Sequence, residues 1–206
     1  MSDADLSPRK APSQQRSTQT VDRIVAAAVD VFDDVGYRAA TTNEIAREAR
    51  VSIGSLYQYF PNKDALLVEI ARRHIACTVA AFDALIADWE PHADLNLVIG
   101  AVIDLLVAQH DRDRLHLLIA HEAPRTDELE RELLTARQHM VGAAARLMEG
   151  RIPAGPDRLI AAQLVVAVLD VAVHDVILRQ QPGPARESSI EMTRAAVVAL
   201  VGENAS

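Results

Sequence analysis

The chain has 206 residues, half of them apolar, so it can bury a substantial core. Its single cysteine excludes a disulfide framework within the chain and fits a reducing compartment. The net charge of −8 argues against a general binder of polyanions, although residues 1–63 are balanced, with eight Lys/Arg and eight Asp/Glu. Many Ala, Leu and Val residues, with few aromatic residues, favour helices over strands.

The first elements are marked by composition and by helix caps. Residues 1–17 are polar and predict a flexible N-terminal arm. The apolar period of TVDRIVAAAVDVFDDVG predicts a helix that ends at Gly36. Thr41 followed by Glu44 is a capping box, so a short second helix is expected to begin there.

A third helix is predicted between Ser52, which can cap its start, and Pro61, which ends it. Asn62 then caps a long fourth helix that runs from Lys63 to about Trp89. Helical patterns continue to the C-terminus, at about residues 93–110, 112–122, 126–149, 157–180 and 186–202.

These patterns predict an all-α protein of about nine helices. We expect the arm at residues 1–17, a three-helix bundle at 18–62, and a larger helical domain at 63–206. No apolar stretch follows a basic start at the N-terminus, so no signal peptide is expected and a cytoplasmic protein is predicted.

The third helix has two kinds of aromatic residue. Leu56 and Phe60 share one stripe and are expected to be buried. Tyr57 and Tyr59 lie on opposite shoulders of that stripe, so both are predicted on an exposed rim with Gln58. A capped helix, a tight turn and a short helix with a polar outer face form a helix-turn-helix, whose second helix enters the DNA major groove.

The stretch TTNEIAREARVSIGSLYQYFPNKDALL resembles the signature of TetR-family transcriptional repressors. With RSTQTVDRIVAAAVDVFDDVGYRAA, the resemblance covers about residues 16–70. It departs from the family pattern at Arg50, where a glycine is usual in the turn. A non-glycine residue in a left-handed turn costs roughly 1 kcal/mol, and Arg50 either faces solvent or adds a phosphate contact.

The resemblance implies the residues that would meet DNA. Those at the starts of the second and third helices would contact the backbone or base edges, and the two tyrosines and the lysine would contact phosphates. The predicted DNA-binding residues are Thr42, Asn43, Ser52, Ile53, Gly54, Ser55, Tyr57, Gln58, Tyr59 and Lys63.

The resemblance also implies a homodimer formed by the last two helices, about residues 157–180 and 186–202. The first is too apolar for a helix exposed to water, and the second offers one apolar side, made of Ile190, Ala195, Val198 and Val201. The run at 159–178 has the length of a membrane span, but Gln163, Asp170, His174 and Asp175 interrupt it, so no membrane partner is expected.

A small-molecule site in the larger domain is implied by the resemblance as well. The candidate ligand-binding residues are His116, His121, Asp170 and His174. Asp170 and His174 lie four residues apart and can pair, either in an apolar cavity or as a structural pair at the dimer seam.

No metal site and no cofactor are expected, because HDRDRLHLLIAH lacks the ligand spacing of a zinc motif. The sequence also lacks HExxH, a nucleophile elbow, a P-loop and a dinucleotide fingerprint, so no enzyme is predicted. The function expected is a ligand-released repressor that binds a palindromic operator. The alternatives are an activator of the same fold, or a helical enzyme or interaction module without DNA binding.

Overall fold

The computed structural model describes residues 15–87, 89, 94–112, 119, 122–152 and 155–202. These residues form eight α-helices and no strand, which confirms the predicted all-α class. Most of the helix predicted at 112–122 lies outside the described residues. The helices are α1 (Gln15–Val35), α2 (Thr42–Glu48), α3 (Ile53–Tyr59), α4 (Lys63–Ala87), α5 (Leu95–Arg112), α6 (Asp127–Leu147), α7 (Pro156–Val171) and α8 (Pro184–Gly202).

The first helix starts earlier than the sequence indicated. α1 begins at Gln15, so residues 15–17, predicted as part of the arm, are helical. Residues 1–14 lie outside the described part. The predicted end is confirmed, because the N–H of Gly36 donates to the carbonyl of Phe32 and Gly36 has a φ of 80°, which a residue without Cβ adopts at little cost.

The chain divides into two compact units. The first comprises Met1–His74 with Arg114–Glu130, and the second comprises Ile75–Asp113 with Arg131–Ser206. The division therefore falls inside α4 and not at residue 62, where the sequence placed it. The physical reason is that Leu66, Leu67 and Ile70 of α4 are fully or almost fully buried in the same core as α1, α2 and α3.

In the second unit, α8 packs on α5 and α7. α7 continues without a break into a π-helical segment, Ala172–Ile177. Val165, Leu169 and Val173 of this continuous helix are buried in the core of the second unit. Leu159, Ile160, Leu164 and Val171, on its other side, are exposed.

The helix Pro156–Ile177 is long and apolar enough to cross a membrane by length and composition. A core helix of a protein that stays in water passes the same test. One side of this helix fills the core of its own unit, which accounts for the apolar residues on that side.

The apolar side of α8 differs from the prediction. Val201 is 1% exposed, and Ile190 and Val198 are partly buried against the same core, so these three residues pack within their own unit. Only Ala195 of the predicted set is exposed. The exposed large apolar residue of α8 is Met192. Periodicity showed an apolar side but not whether α5 and α7 or a second chain would cover it.

Candidate DNA-binding surface

The turn between α2 and α3 is held by local hydrogen bonds at fixed sequence offsets. The predicted capping box is present: the N–H of Glu44 donates to Thr41 Oγ1 at 3.2 Å, and the N–H of Thr41 donates to the Glu44 carboxylate at 2.9 Å. The Thr41 hydroxyl also donates to the Glu44 carboxylate at 2.8 Å, and this bond, followed by the bond from the Thr41 N–H, lowers the pKa of Glu44. The start of α2 is therefore fixed by its own side chains.

The end of α2 forms a Schellman motif. The N–H of Val51 donates to the carbonyl of Ala46 at 3.0 Å, and the N–H of Arg50 donates to that of Arg47 at 3.1 Å. Arg50 has a φ of 54°, so the left-handed turn expected from the family pattern exists although the residue is not glycine. Its side chain is exposed, which agrees with both alternatives, a side chain that faces solvent and one that contacts a phosphate.

The first turn of α3 is open to a partner. Ser52 caps it by accepting from the N–H of Ser55 at 3.0 Å. A Cβ built on Gly54 would meet only Ser52 Oγ, at 4.0 Å, so the backbone there is uncovered. Ile53 is 37% exposed and therefore belongs to the open face and not to the core, which the sequence left undecided.

Two hydroxyl groups join α2 and α3 at the surface. Thr42 Oγ1 and the hydroxyl of Tyr57 lie 2.9 Å apart, and Tyr57 is 42% exposed. Asn43 and Gln58 are exposed as well. The structure thus brings Thr42, at the start of α2, together with Tyr57 of α3, and both are predicted DNA-binding residues. The pairing itself had no sequence signal, because its partners are 15 residues apart.

The predicted exposure of Tyr59 is wrong. It is only 7% exposed, and its hydroxyl donates to Ser17 Oγ at 3.2 Å. The period of α3 alone could not indicate this contact, because Ser17 belongs to the first turn of α1. Leu56 and Phe60 are fully buried, as predicted.

The contacts of the Lys63 side chain also differ from the prediction. Its ammonium donates to the carbonyls of Tyr37, Arg38 and Ala40, at 2.8, 3.1 and 3.3 Å. The sequence suggested a lysine free to meet a phosphate. It gave no sign of Tyr37, whose hydroxyl donates to Asp64 and whose ring faces the Lys63 ammonium.

Residues 24–70 match the family model for bacterial regulatory proteins of the tetR family. The matched segment contains the capping box, the Schellman turn, α3 and the start of α4. The chain therefore has the N-terminal segment of TetR-family regulators. The predicted resemblance is thereby confirmed.

Three known proteins show how far the similarity extends. The A-factor receptor protein of Streptomyces griseus is 49% identical over 53 residues, which are 26% of this chain and only 19% of that protein. The transcriptional activator FasR of Mycolicibacterium smegmatis is 28% identical over 153 residues, 73% of this chain and 69% of FasR. The regulator FadR of Bacillus subtilis, solved with stearoyl-CoA, has a TM-score of 0.63 at 20% identity, covering 87% of this chain and 97% of that one, and so shares the fold.

The chain is a transcriptional regulator, as are the relatives that it matches. Such regulators are not enzymes, so the prediction of a non-enzymatic protein is confirmed. The prediction of an N-terminal helix-turn-helix in an all-α chain is confirmed as well.

The second predicted site of this regulator is described only in part. His116 and His121 lie outside the described residues. His174 Nδ1 is 3.0 Å from Asp170 Oδ1 and 2.8 Å from the Asp170 carbonyl oxygen, so the predicted pair forms. The hydrogen bond to Asp170 raises the pKa of His174, against the opposing effect of its burial.

The Asp170–His174 pair lies at the surface of the second unit, with side chains 58% and 35% exposed. Asp170 is on α7, next to the exposed Val171, and His174 is on the π-helical segment that follows. The two alternatives that the sequence left open, a ligand cavity and a seam between two copies, both stay predictions. Among the described residues, no group of three or more His, Cys, Asp or Glu side chains is placed to hold a metal.

Proposed function

We propose that the protein binds a near-palindromic operator as a homodimer, with α3 of each copy in a major groove. The observation that carries this proposal is the exposed polar side of α2 and α3, with uncovered backbone at Gly54 in the first turn of α3 and paired hydroxyls of Thr42 and Tyr57. The second helix of such a motif presents its N-terminal residues to base edges, and hydroxyl groups and helix N-termini suit phosphates.

The roles of individual residues follow from their exposure. We assign base-edge or groove contacts to the start of α3 and phosphate contacts to the two paired hydroxyls. Tyr59 and Lys63 are left out, because one is buried and the other is engaged by three carbonyls. The proposed DNA-binding residues are Thr42, Asn43, Ser52, Ile53, Gly54, Ser55, Tyr57 and Gln58.

The proposed dimer uses α7 and α8. Exposed Ile160, Leu164 and Val171 form an apolar side of α7 that faces water in one chain, and Met192 of α8 is exposed too. Burial of such a surface in an isologous contact is the usual way to remove it from water. Two copies would place two copies of α3 about 34–36 Å apart, one DNA turn. A monomeric mass in light scattering at micromolar concentration would refute the dimer.

The proposed regulation is release by a small molecule that binds the second unit and moves α4. A ligand shifts this equilibrium only if it binds the DNA-incompetent state more tightly. Stearoyl-CoA is the first compound to test, because the FadR structure of similar fold contains it. The proposed regulator represses transcription. Because the similar protein FasR is an activator, a reporter assay must exclude activation. A DNA-binding regulator of this kind acts in the cytoplasm.

Selection of bound sequences from random duplex DNA tests the proposal. We expect enrichment of a palindrome whose half-sites are one helical turn apart. With that operator, Tyr57→Phe should weaken binding by a similar factor for every sequence, since phosphate contacts carry no sequence information. Enrichment of no palindrome would reject operator binding, and loss confined to one base position would reject the phosphate role of Tyr57.

A further inference from the structure

The first turn of α4 is joined to the connection between α1 and α2 by a set of polar contacts. We name this set the Lys63 clamp: Lys63 and Asp64 on α4, with Tyr37 and the carbonyls of residues 37, 38 and 40. It contains four hydrogen bonds and one contact between the ammonium and the Tyr37 ring. All of these residues belong to the first unit.

The lysine in the clamp has its hydrogen-bonding capacity filled. An ammonium has three N–H donors and no acceptor. Lys63 directs these donors at three carbonyl oxygens within 3.3 Å, and its nitrogen lies 4.6 Å from the centre of the Tyr37 ring. A phosphate contact would require the ammonium to leave at least one carbonyl, which would then need another donor.

The tyrosine holds the same connection from two sides. Its hydroxyl donates to Asp64, and its ring packs edge-on against Phe32 of α1 at 5.2 Å. Burial, and then the hydrogen bond to Asp64, raise the pKa of Tyr37, so the hydroxyl stays protonated and remains a donor. The connection is thus fixed both to the core and to α4.

The clamp ends two residues before the proposed DNA contacts begin. Ala40, whose carbonyl accepts from Lys63, precedes Thr41, which caps α2, and Thr42, whose hydroxyl meets Tyr57. We infer that Lys63 is a positioning residue: it fixes the start of α2 to the first turn of α4 and supports operator binding without touching a phosphate. This inference rests on the proposed function, and it names the contact through which a movement of α4 would displace the DNA-binding face.

The test compares Lys63→Met with wild type on the operator obtained by selection, over 50 to 200 mM salt. Met keeps the aliphatic stem and removes the ammonium. We expect affinity to fall about tenfold, the effect of losing roughly one well-formed polar contact, with an unchanged dependence on salt. A direct phosphate contact predicts instead that the slope of log K against log salt becomes shallower by about 0.9, and this result would overturn the inference.

Two further variants keep the test informative if Lys63→Met does not fold by circular dichroism. Lys63→Arg keeps the charge, but a planar guanidinium cannot meet three converging carbonyls, so affinity should still fall. Tyr37→Phe removes only the bond to Asp64 and should weaken binding at an unchanged salt slope. Wild-type affinity in both variants would contradict the clamp.

Hydrogen exchange separates failure of the clamp from failure of operator binding. The N–H of Ala40 donates to the Gly36 carbonyl at 3.0 Å, inside the connection that the clamp holds. Its exchange should be faster in Lys63→Met, and in wild type it should be slowed even without DNA. If wild type enriches no operator, the proposed function fails; if wild type binds and the Ala40 amide exchanges equally in both proteins, the clamp alone is refuted.

Discussion

The exposed sides of α3 and α7 differ in chemical kind, although each helix buries an apolar stripe in its own unit. α3 buries Leu56 and presents a glycine, hydroxyls and an amide to solvent. α7 buries Val165 and Leu169 and presents leucine, isoleucine and valine side chains. The first surface suits a polar, charged partner such as DNA, and the second suits an apolar partner such as another copy of itself.

The comparison shows that a helix's inner side reveals little about its function. Both inner stripes are explained by packing, which any helix of a folded domain requires. The outer sides distinguish the two helices, because exposure of an apolar side to water has a free-energy cost that a partner removes.

The largest effect is expected inside the first core. Phe60 is fully buried beside α3, and Phe60→Ala should lower the free energy of unfolding by about 3–5 kcal/mol. Leu134→Ala on α6, where the side chain is 55% exposed, is the control and should change it by less than about 0.5 kcal/mol. Urea unfolding measures both, and similar losses would mean that burial in one chain does not govern stability.

The next effect concerns the apolar outer side of α7. Leu164→Glu should convert the dimer to a monomer, because an unpaired carboxylate at a buried contact costs about 2 kcal/mol or more. Leu134→Glu makes the same change at a leucine of similar exposure outside α7 and α8, and it should leave the dimer intact. Light scattering decides, and equal behaviour of the two variants would remove α7 from the interface.

The polar caps could be predicted from sequence because their partners are three residues apart. Thr41 with Glu44, Ser52 with Ser55 and Asn62 with Ala65 all form as fixed offsets require. The Asp170–His174 pair forms for the same reason. Local geometry alone determines these contacts.

Other features depend on residues that are distant in sequence. Tyr59 is buried beside α1, and its hydroxyl bonds Ser17, 42 residues earlier. The carbonyls that hold Lys63 lie 23 to 26 residues before it. Val201 is covered by its own unit and not by a second chain. A helical period states that a side is apolar, but not what will cover it.

A smaller effect is expected at the turn that precedes the open face of α3. Arg50 has a φ of 54°, so Arg50→Gly should raise the free energy of unfolding by about 1 kcal/mol. Arg47→Gly, inside α2, should lower it by about the same amount and serves as the control of opposite sign. The salt slope of operator binding should be unchanged in Arg50→Gly if the side chain only faces solvent, whereas a shallower slope would show a phosphate contact.

The smallest effect tests whether the polar start of α2 is stabilised by charge. Folding lowers the pKa of Glu44, chiefly through the hydrogen bond from the Thr41 hydroxyl. The ionised carboxylate therefore stabilises the folded state above the ordinary pKa of 4.5, and this stabilisation is lost as pH falls through the lowered pKa. Glu44→Gln keeps the capping geometry without the charge. The melting temperature of wild type should therefore exceed that of Glu44→Gln at pH 6, with the difference disappearing on acidification. In proteins that also carry Thr41→Val, the difference in melting temperature made by Glu44→Gln should already be smaller at pH 6, because the main hydrogen bond to the carboxylate is gone. If the difference between wild type and Glu44→Gln stays constant with pH, the cap depends on shape and not on charge.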